Sequence, residues 1–307
     1  MGEFGRTLTS SGMIPCMGKA ARKKHAATPK GPRPAAYVRR PFAGLAGEAD
    51  WVALTEILPA ATATVALKAG VAPADGPAVV TIATVLPMAW PALRRADGAV
   101  LVATQGGGST GDASRDLGSA IVAALAAAPG TPLAQVPLAT DDSPRVQDLV
   151  EGDAAFAVTV HEGYDFWVEG QDLDADAQES LARANDSVIP TVKMSGAPAA
   201  YWCLLGNRPH IRLVLAEDED DATNALARLA AAGTATLGEG TRLLGAFRAA
   251  GLLIPVWELT AGTTAADYEE GISAFTSRYA AALGGAPLTA AERGARSGLI
   301  SRQVTLR

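Results

Sequence analysis

A few short stretches of this chain hold residue types that can do chemistry. Leu237-Gly238-Glu239-Gly240-Thr241-Arg242 sets a carboxylate and, one turn on, a guanidinium around two glycines. Glycine lets a ligand approach the backbone closely, and the arginine fork binds a carboxylate or phosphate through paired hydrogen bonds. Glu239 and Arg242 are therefore candidate binding residues of a polar pocket. The plainer reading is a helix start, with Glu239 near its positive end and Arg242 in a surface ion pair. Gln105-Gly106-Gly107-Gly108-Ser109-Thr110-Gly111-Asp112 has the form of a phosphate cradle between a strand and a helix. It lacks the lysine of a nucleotide-binding loop, and Asp112 puts negative charge where phosphate would sit. A loop ending in an N-cap is the simpler account.

Cys203 is a candidate nucleophile if His210 or His161 comes to its side, although nothing in the spacing sets up that pairing and free cysteines are commonly just buried. The acidic run Glu217-Asp218-Glu219-Asp220-Asp221 lacks the alternating carboxylates and glycine turn of a calcium loop. It reads as a solvated cluster stabilised by the dipole of a following helix. Trp51, Trp90, Trp167, Trp202 and Trp257 read first as core. Trp90, Trp202 and Trp257 are the candidates for lining a partner groove, since tryptophan concentrates at binding hot spots. The chain implies no cofactor and no metal site.

These residues need elements to position them. Trp51–Leu58 reads as a helix with Asp50 as N-cap. Thr62–Lys68 and Ala78–Val85 read as strands, Pro87–Leu93 as a turn or short helix, and Ala99–Thr104 as a strand after the hairpin signal Asp97-Gly98. Asp112 caps a helix to about Ala128, stopped by Pro129-Gly130. The order then repeats: a short helix over Arg145–Val150, strands over Phe156–His161 and Asp165–Val168, an extra acidic helix Leu173–Asn185, strands over Val188–Met194 and Ile211–Leu215, and a helix Ala222–Ala232. Trp90 followed by Leu101-Val102-Ala103 is echoed by Trp202 followed by Leu213-Val214-Leu215. A smaller module closes the chain: a helix Thr241–Ala250, a strand Leu252–Leu259, a helix Ala265–Leu283, a capping box Thr289-Ala290-Ala291-Glu292 and an edge strand Val304-Thr305-Leu306. The fold class is α+β: two pseudo-repeated αβββα units with small antiparallel sheets, over 41–135 and 136–235, and a C-terminal helix–strand–helix module over 236–307.

Composition narrows the partners. Of 307 residues, 49% are hydrophobic, enough for a sizeable core, and the net charge of -6 argues against the whole chain being a nucleic-acid platform. The charge is uneven. Residues 17–40 hold Lys19, Arg22, Lys23, Lys24, Lys30, Arg33, Arg39 and Arg40 and no acid, so 1–40 reads as a disordered basic tail able to contact nucleic acid by counterion release. Met17 can be the natural start. Two cysteines exclude a disulfide framework. No signal peptide or membrane span is legible, which suggests a cytoplasmic protein.

Further segments carry a family likeness. They are Arg40-Pro41-Phe42-Ala43-Gly44-Leu45, Thr84-Val85-Leu86-Pro87-Met88-Ala89-Trp90-Pro91-Ala92-Leu93, Gly111-Asp112-Ala113-Ser114-Arg115-Asp116-Leu117, Pro190-Thr191-Val192-Lys193, Ala200-Tyr201-Trp202-Cys203, Leu237-Gly238-Glu239-Gly240-Thr241-Arg242-Leu243 and Ser301-Arg302-Gln303-Val304-Thr305-Leu306. Across residues 40–307 the chain resembles an actinobacterial family of uncharacterised proteins, a domain of unknown function. The resemblance implies relatives that carry an N-terminal SEC-C zinc motif and are labelled preprotein translocase SecA. That motif is absent here: Cys16 stands alone and His25 follows Lys24. No Gly-x-x-x-x-Gly-Lys-Ser/Thr loop supports an ATPase either. The reading that remains is a non-enzymatic protein-binding or adaptor protein. The alternatives are an enzyme or metabolite-binding protein using Glu239 and Arg242, and an RNA- or ribosome-associated protein acting through the tail.

Overall fold

Helix α1 (Glu48–Glu56) organises the molecule because its middle is apolar on every side. Ala49, Trp51, Val52, Ala53, Leu54 and Thr55 are all buried, with the carboxylates confined to its first turn and its end, and such a stretch must be enclosed. In this computed structural model, which describes residues 33–84, 90–105, 109–154 and 156–301, one apolar cluster joins α1 to both sheets of the protein. Trp51 stacks between Phe42 (5.6 Å) and Phe156 (3.9 Å). The helix begins earlier than expected. Gly47, at φ +70°, is its N-cap, which leaves Asp50 in the first turn rather than at the cap. From there Asp50 accepts hydrogen bonds from Tyr201 Oη (2.6 Å) and Lys193 Nζ (3.0 Å).

The first sheet has the order β5-β3-β4-β2-β1-β6. Its strands are β1 (Ala61–Ala66), β2 (Val79–Ala83), β3 (Ala92–Arg94), β4 (Val100–Ala103), β5 (Thr131–Leu133) and β6 (Val158–Val160). The β3–β4 hairpin turns at Asp97-Gly98, where Asp97 Oδ1 accepts the Ala99 N–H and Gly98 takes φ +90°. β4 then runs parallel to β2. Helix α2 (Ala113–Ala126) follows, with Asp112 as N-cap accepting from Ser114 N. The short helix α3 (Val146–Leu149) packs against α2.

The second sheet, β10-β11-β9-β8-β7, is antiparallel throughout. It comprises β7 (Thr191–Lys193), β8 (Ala200–Leu205), β9 (Arg208–Leu213), β10 (Arg242–Ala249) and β11 (Leu252–Glu258). One face carries Trp202, Ile211, Leu213 and Trp257 into a core shared with α5 (Glu219–Ala231), α6 (Glu269–Ala282) and α7 (Ala290–Ser301). The other face presents Tyr201 and Ile254 to the α1 cluster. Helix α4 (Ala175–Asn185) buries no residue.

The α+β class and the closing helices are as expected, but several elements differ. The helix expected over 241–250 is strand β10. Its Ala and Leu content favours helix, yet Ala250 and Gly251, both at positive φ, close a tight hairpin that pairs it with β11. Asp165–Val168, expected as a strand, is a 3-10 turn over Asp165–Trp167 that drops Trp167 into the core, its Nε1 donating to Thr84 O (3.2 Å). Leu93, expected in a turn or short helix, lies in β3. Strands β5 and β8 carry no expectation. The hairpin-then-helix order of β3-β4-α2 recurs in β8-β9-α5, each helix capped by an aspartate, Asp112 and Asp218. Their sheet neighbours differ: β4 lies parallel to β2, whereas β9 lies antiparallel to β11. β6 pairs with β1, and β10 and β11 extend the sheet of β7 to β9. Ordered contacts begin before Pro41: Ala35 N donates to Ala139 O, Arg39 pairs with Glu219 (2.7 Å) and Arg40 with Glu48 (2.7 Å). The rest of the tail and the expected strand at 304–306 lie outside the described residues.

Candidate functional site

The singled-out residues go to different places. Trp257 is fully buried, its Nε1 donating to Ala235 O (2.8 Å), with Phe275 edge-on at 4.8 Å. Trp202 is buried in the same cluster, and its Nε1 has no hydrogen-bond partner. Trp90 is half-buried against the small cluster of Leu93, Leu101 and Trp167. Arg242 lies on β10 and grips Glu258 across the hairpin (2.5 Å), which holds the Glu258 carboxyl below its ordinary value. Glu239 is exposed in the turn between Gly238 and Gly240. A depression of about 330 Å³ lies beside that turn, walled by Thr234, Leu237, Gly271 and Arg278; neither Glu239 nor Arg242 lines it.

Cys203 and His210 are cross-strand neighbours on β8 and β9. Burial pushes the thiol up, away from thiolate, with Arg212 opposing only in part. His210 Nδ1 is engaged with Arg208 O (2.9 Å). His161 lies elsewhere, on Thr62 Oγ1 (2.8 Å). The acidic run makes structural contacts: Asp218 caps α5, Glu219 binds Arg39 and Arg248, and Glu217 accepts from Tyr279. Among the described residues no three His, Cys, Asp or Glu side chains gather as a metal site, and no helix is long and apolar enough to cross a membrane.

A cleft of about 380 Å³ opens where three elements end together: the C-terminus of α1, the C-terminus of β4 and the first turns of α2. Such a volume suits a small ligand, and the end of a parallel strand pair, where β4 leaves β2, is where α/β sheets commonly bind. Ala103, Leu117, Ala120 and Val136 give it an apolar wall. Thr55, Glu56, Thr104, Gln105, Ser109 and Asp116 supply the polar groups. Gln105 donates its amide to Thr55 O (3.0 Å), tying the loop after β4 to the end of α1. Thr104 Oγ1 is buried with no hydrogen-bond partner.

Two carboxyls define the cleft's electrostatics. Asp116 accepts from Thr110 N (2.9 Å) and Thr110 Oγ1 (2.8 Å). Desolvation nevertheless outweighs those bonds and raises its carboxyl, with Asp112 adding to the rise. Solvent reaches Glu56, but the cleft walls strip enough water from it to raise its carboxyl too. No described residue pairs with Glu56 by ion pair or hydrogen bond. Asp112 shows the contrast: it is almost fully buried, and Arg115 and Arg145 both lie 3.4 Å from it.

The glycine-rich stretch at 105–112 thus flanks a real cleft, although residues 106–108 lie outside the described residues. The chemistry is not that of a phosphate cradle. Asp112 caps α2 and Asp116 lies in its first turn, and among the described residues no Lys, Arg or His lines the cleft. Glu56 and Asp116 were not foreseen. The available signal was a second aspartate one turn after the cap; nothing in the sequence marks Glu56.

No curated protein and no solved structure matches this chain. The profile of a family of unknown function, DUF5926, matches residues 41–307, in agreement with the resemblance read from residues 40–307. On that match over nearly all of the chain after the tail, the protein belongs to the DUF5926 family.

Proposed function

We propose that this protein binds a small organic molecule in the cleft between α1, β4 and α2. The supporting observation is the company the cleft keeps: an apolar wall beside two carboxylates, Glu56 and Asp116, neither of which pairs with a cation among the described residues. Asp116 is partly desolvated, and a ligand can supply the counter-charge it lacks. The test is a thermal-shift screen of a metabolite library on the wild type and on Ser109→Trp, which fills the cleft from an exposed position. A compound that raises the midpoint of the wild type but not of the variant supports the reading. Compounds acting equally on both, or none acting at all, refute it.

A second reading, a cytoplasmic protein-binding adaptor, draws on α4. This helix buries nothing of its own, yet it carries Leu181 and four alanines. A stoichiometric partner that survives high salt and nuclease, and is lost on deleting 175–185, supports that reading. Neither Glu239 nor Arg242 lines the depression beside their turn, so the metabolite-binding reading at that turn draws no support from it. Binding of nucleic acid through residues 17–40 rests on the sequence, and Arg39 and Arg40 are already engaged with acids.

A further inference from the structure

Resting on the cleft reading, we infer that its ligand is an organic cation: a primary or secondary ammonium on a short aliphatic body, held by Glu56 and Asp116. Four observations converge on this chemistry. First, among the described residues the lining contains two carboxylates and no basic side chain. An anionic ligand meets repulsion there, and a neutral one leaves both charges uncompensated. Second, the chain neutralises a carboxylate when it wants to. Asp112, one turn before Asp116, sits beside two arginines. Among the described residues Asp116 receives only the neutral donors of Thr110, and Glu56 has no ion-pair or hydrogen-bond partner.

Third, the remaining polar groups offer acceptors. Gln105 spends its NH2 on Thr55 O, which leaves its amide oxygen to accept. An ammonium, which carries only donors, complements that set. Fourth, among the described residues no aromatic ring lines the cleft, so the lining offers no cage of the kind that recognises quaternary ammonium. The apolar wall of Ala103, Leu117, Ala120 and Val136 asks for an aliphatic body, and the volume limits its size.

The test is an NMR titration of the full chain with n-butylammonium, butyrate and n-butanol at neutral pH. The expected result is saturable binding of butylammonium at least about ten-fold tighter than of either analogue, a difference of about 1.4 kcal/mol. Glu56→Gln and Asp116→Asn should each weaken butylammonium about ten-fold, while Ser109→Trp abolishes it. Glu56 is open to solvent, so its variant leaves folding intact and keeps the test valid if Asp116→Asn misfolds. Equal or tighter binding of butyrate or butanol, butylammonium affinity unmoved by Glu56→Gln, or no binding of butylammonium each overturns the cation inference. The two readings fail separately. A metabolite that is not an amine and is blocked by Ser109→Trp overturns the inference and leaves the ligand-binding function standing. No Ser109-sensitive ligand of any charge overturns both.

Discussion

Gly118 lies in the middle of α2, where helix propensity alone favours alanine by about 1 kcal/mol. The structure reverses that sign. A Cβ added at Gly118 falls on the carbonyl oxygen of Pro144, with the carbonyl carbon at 3.0 Å. Backbone cannot swing aside as a long side chain can, so α2 and the segment before α3 must separate. Overpacking of this kind costs about 1–3 kcal/mol. The separation also strains the Val146 N–H to Ser114 Oγ bond (2.9 Å), the Ser114 to Gln147 bond (2.6 Å) and the contact of Arg115 with Ser143 O. Each neutral bond lost adds about 0.5–1.5 kcal/mol. Against the propensity gain, Gly118→Ala should destabilise by about 1–3 kcal/mol. Gly294 in α7 is the control. It is exposed, and nothing lies within 4 Å of the added Cβ, so Gly294→Ala should stabilise by about 0.5–1 kcal/mol. Urea unfolding read by tryptophan fluorescence, with slopes compared to exclude denatured-state effects, measures both. If Gly118→Ala stabilises as Gly294→Ala does, the close approach of α2 to residue 144 is wrong.

Other perturbations probe different parts of the molecule. Tyr201→Phe keeps the ring but removes the donor to the Asp50 carboxylate (2.6 Å); a loss of about 1.5–3 kcal/mol in urea unfolding is expected for a charged acceptor, and a loss below about 0.5 would deny that this bond docks α1 on the second sheet. Trp257→Phe strips the Ala235 carbonyl of its donor, whereas the Trp202 indole N–H already lacks a partner. The first substitution should therefore cost about 1–2 kcal/mol more than the second, and equal costs would refute this. Glu56→Gln should raise stability at pH 7. The folded-state value of Glu56 lies above its unfolded one, so ionisation opposes folding as pH rises through that window, and the penalty vanishes below the unfolded value of about 4.3. Unfolding curves between pH 4 and pH 7 test it: an advantage for the variant that grows on acidification contradicts the sign. Cys203, studied in a Cys16→Ser background, should react with a thiol reagent only on unfolding, since it is buried and held as thiol; fast native-state labelling would refute its burial.

Local signals were legible where local chemistry decides. Asp112 before an alanine-rich run and Pro129-Gly130 after it mark both ends of α2 to within a few residues. Asp97-Gly98 marks its hairpin, and Thr289 and Glu292 form their reciprocal cap, Thr289 N to Glu292 (2.7 Å) and Glu292 N to Thr289 (3.3 Å). Leu243 to Ala249 is rich in helix formers and reads as helix; its hairpin with β11 makes it strand β10. α1 was foreseen as a helix, but its enclosure was not, because a short apolar helix reads alike whether one or two sheets cover it. The cleft was half legible. The glycine-rich stretch marked the place, but its acidic character depends on Glu56, which comes from a different element and looks like an ordinary helix-end carboxylate.

Helix α1 also sets a timetable. It emerges early in synthesis, but Tyr201, the residue that fastens it to the second sheet, comes 151 positions after Asp50. At about 5–20 residues per second, the nascent chain carries α1 without its second wall for roughly 8–30 s. The Asp50 carboxylate cannot meet both its Lys193 and Tyr201 donors in that interval, so half of this protein translated alone leaves α1 without its second wall. One apolar cluster ties both sheets to α1, so separating them by truncation should yield aggregates rather than domains.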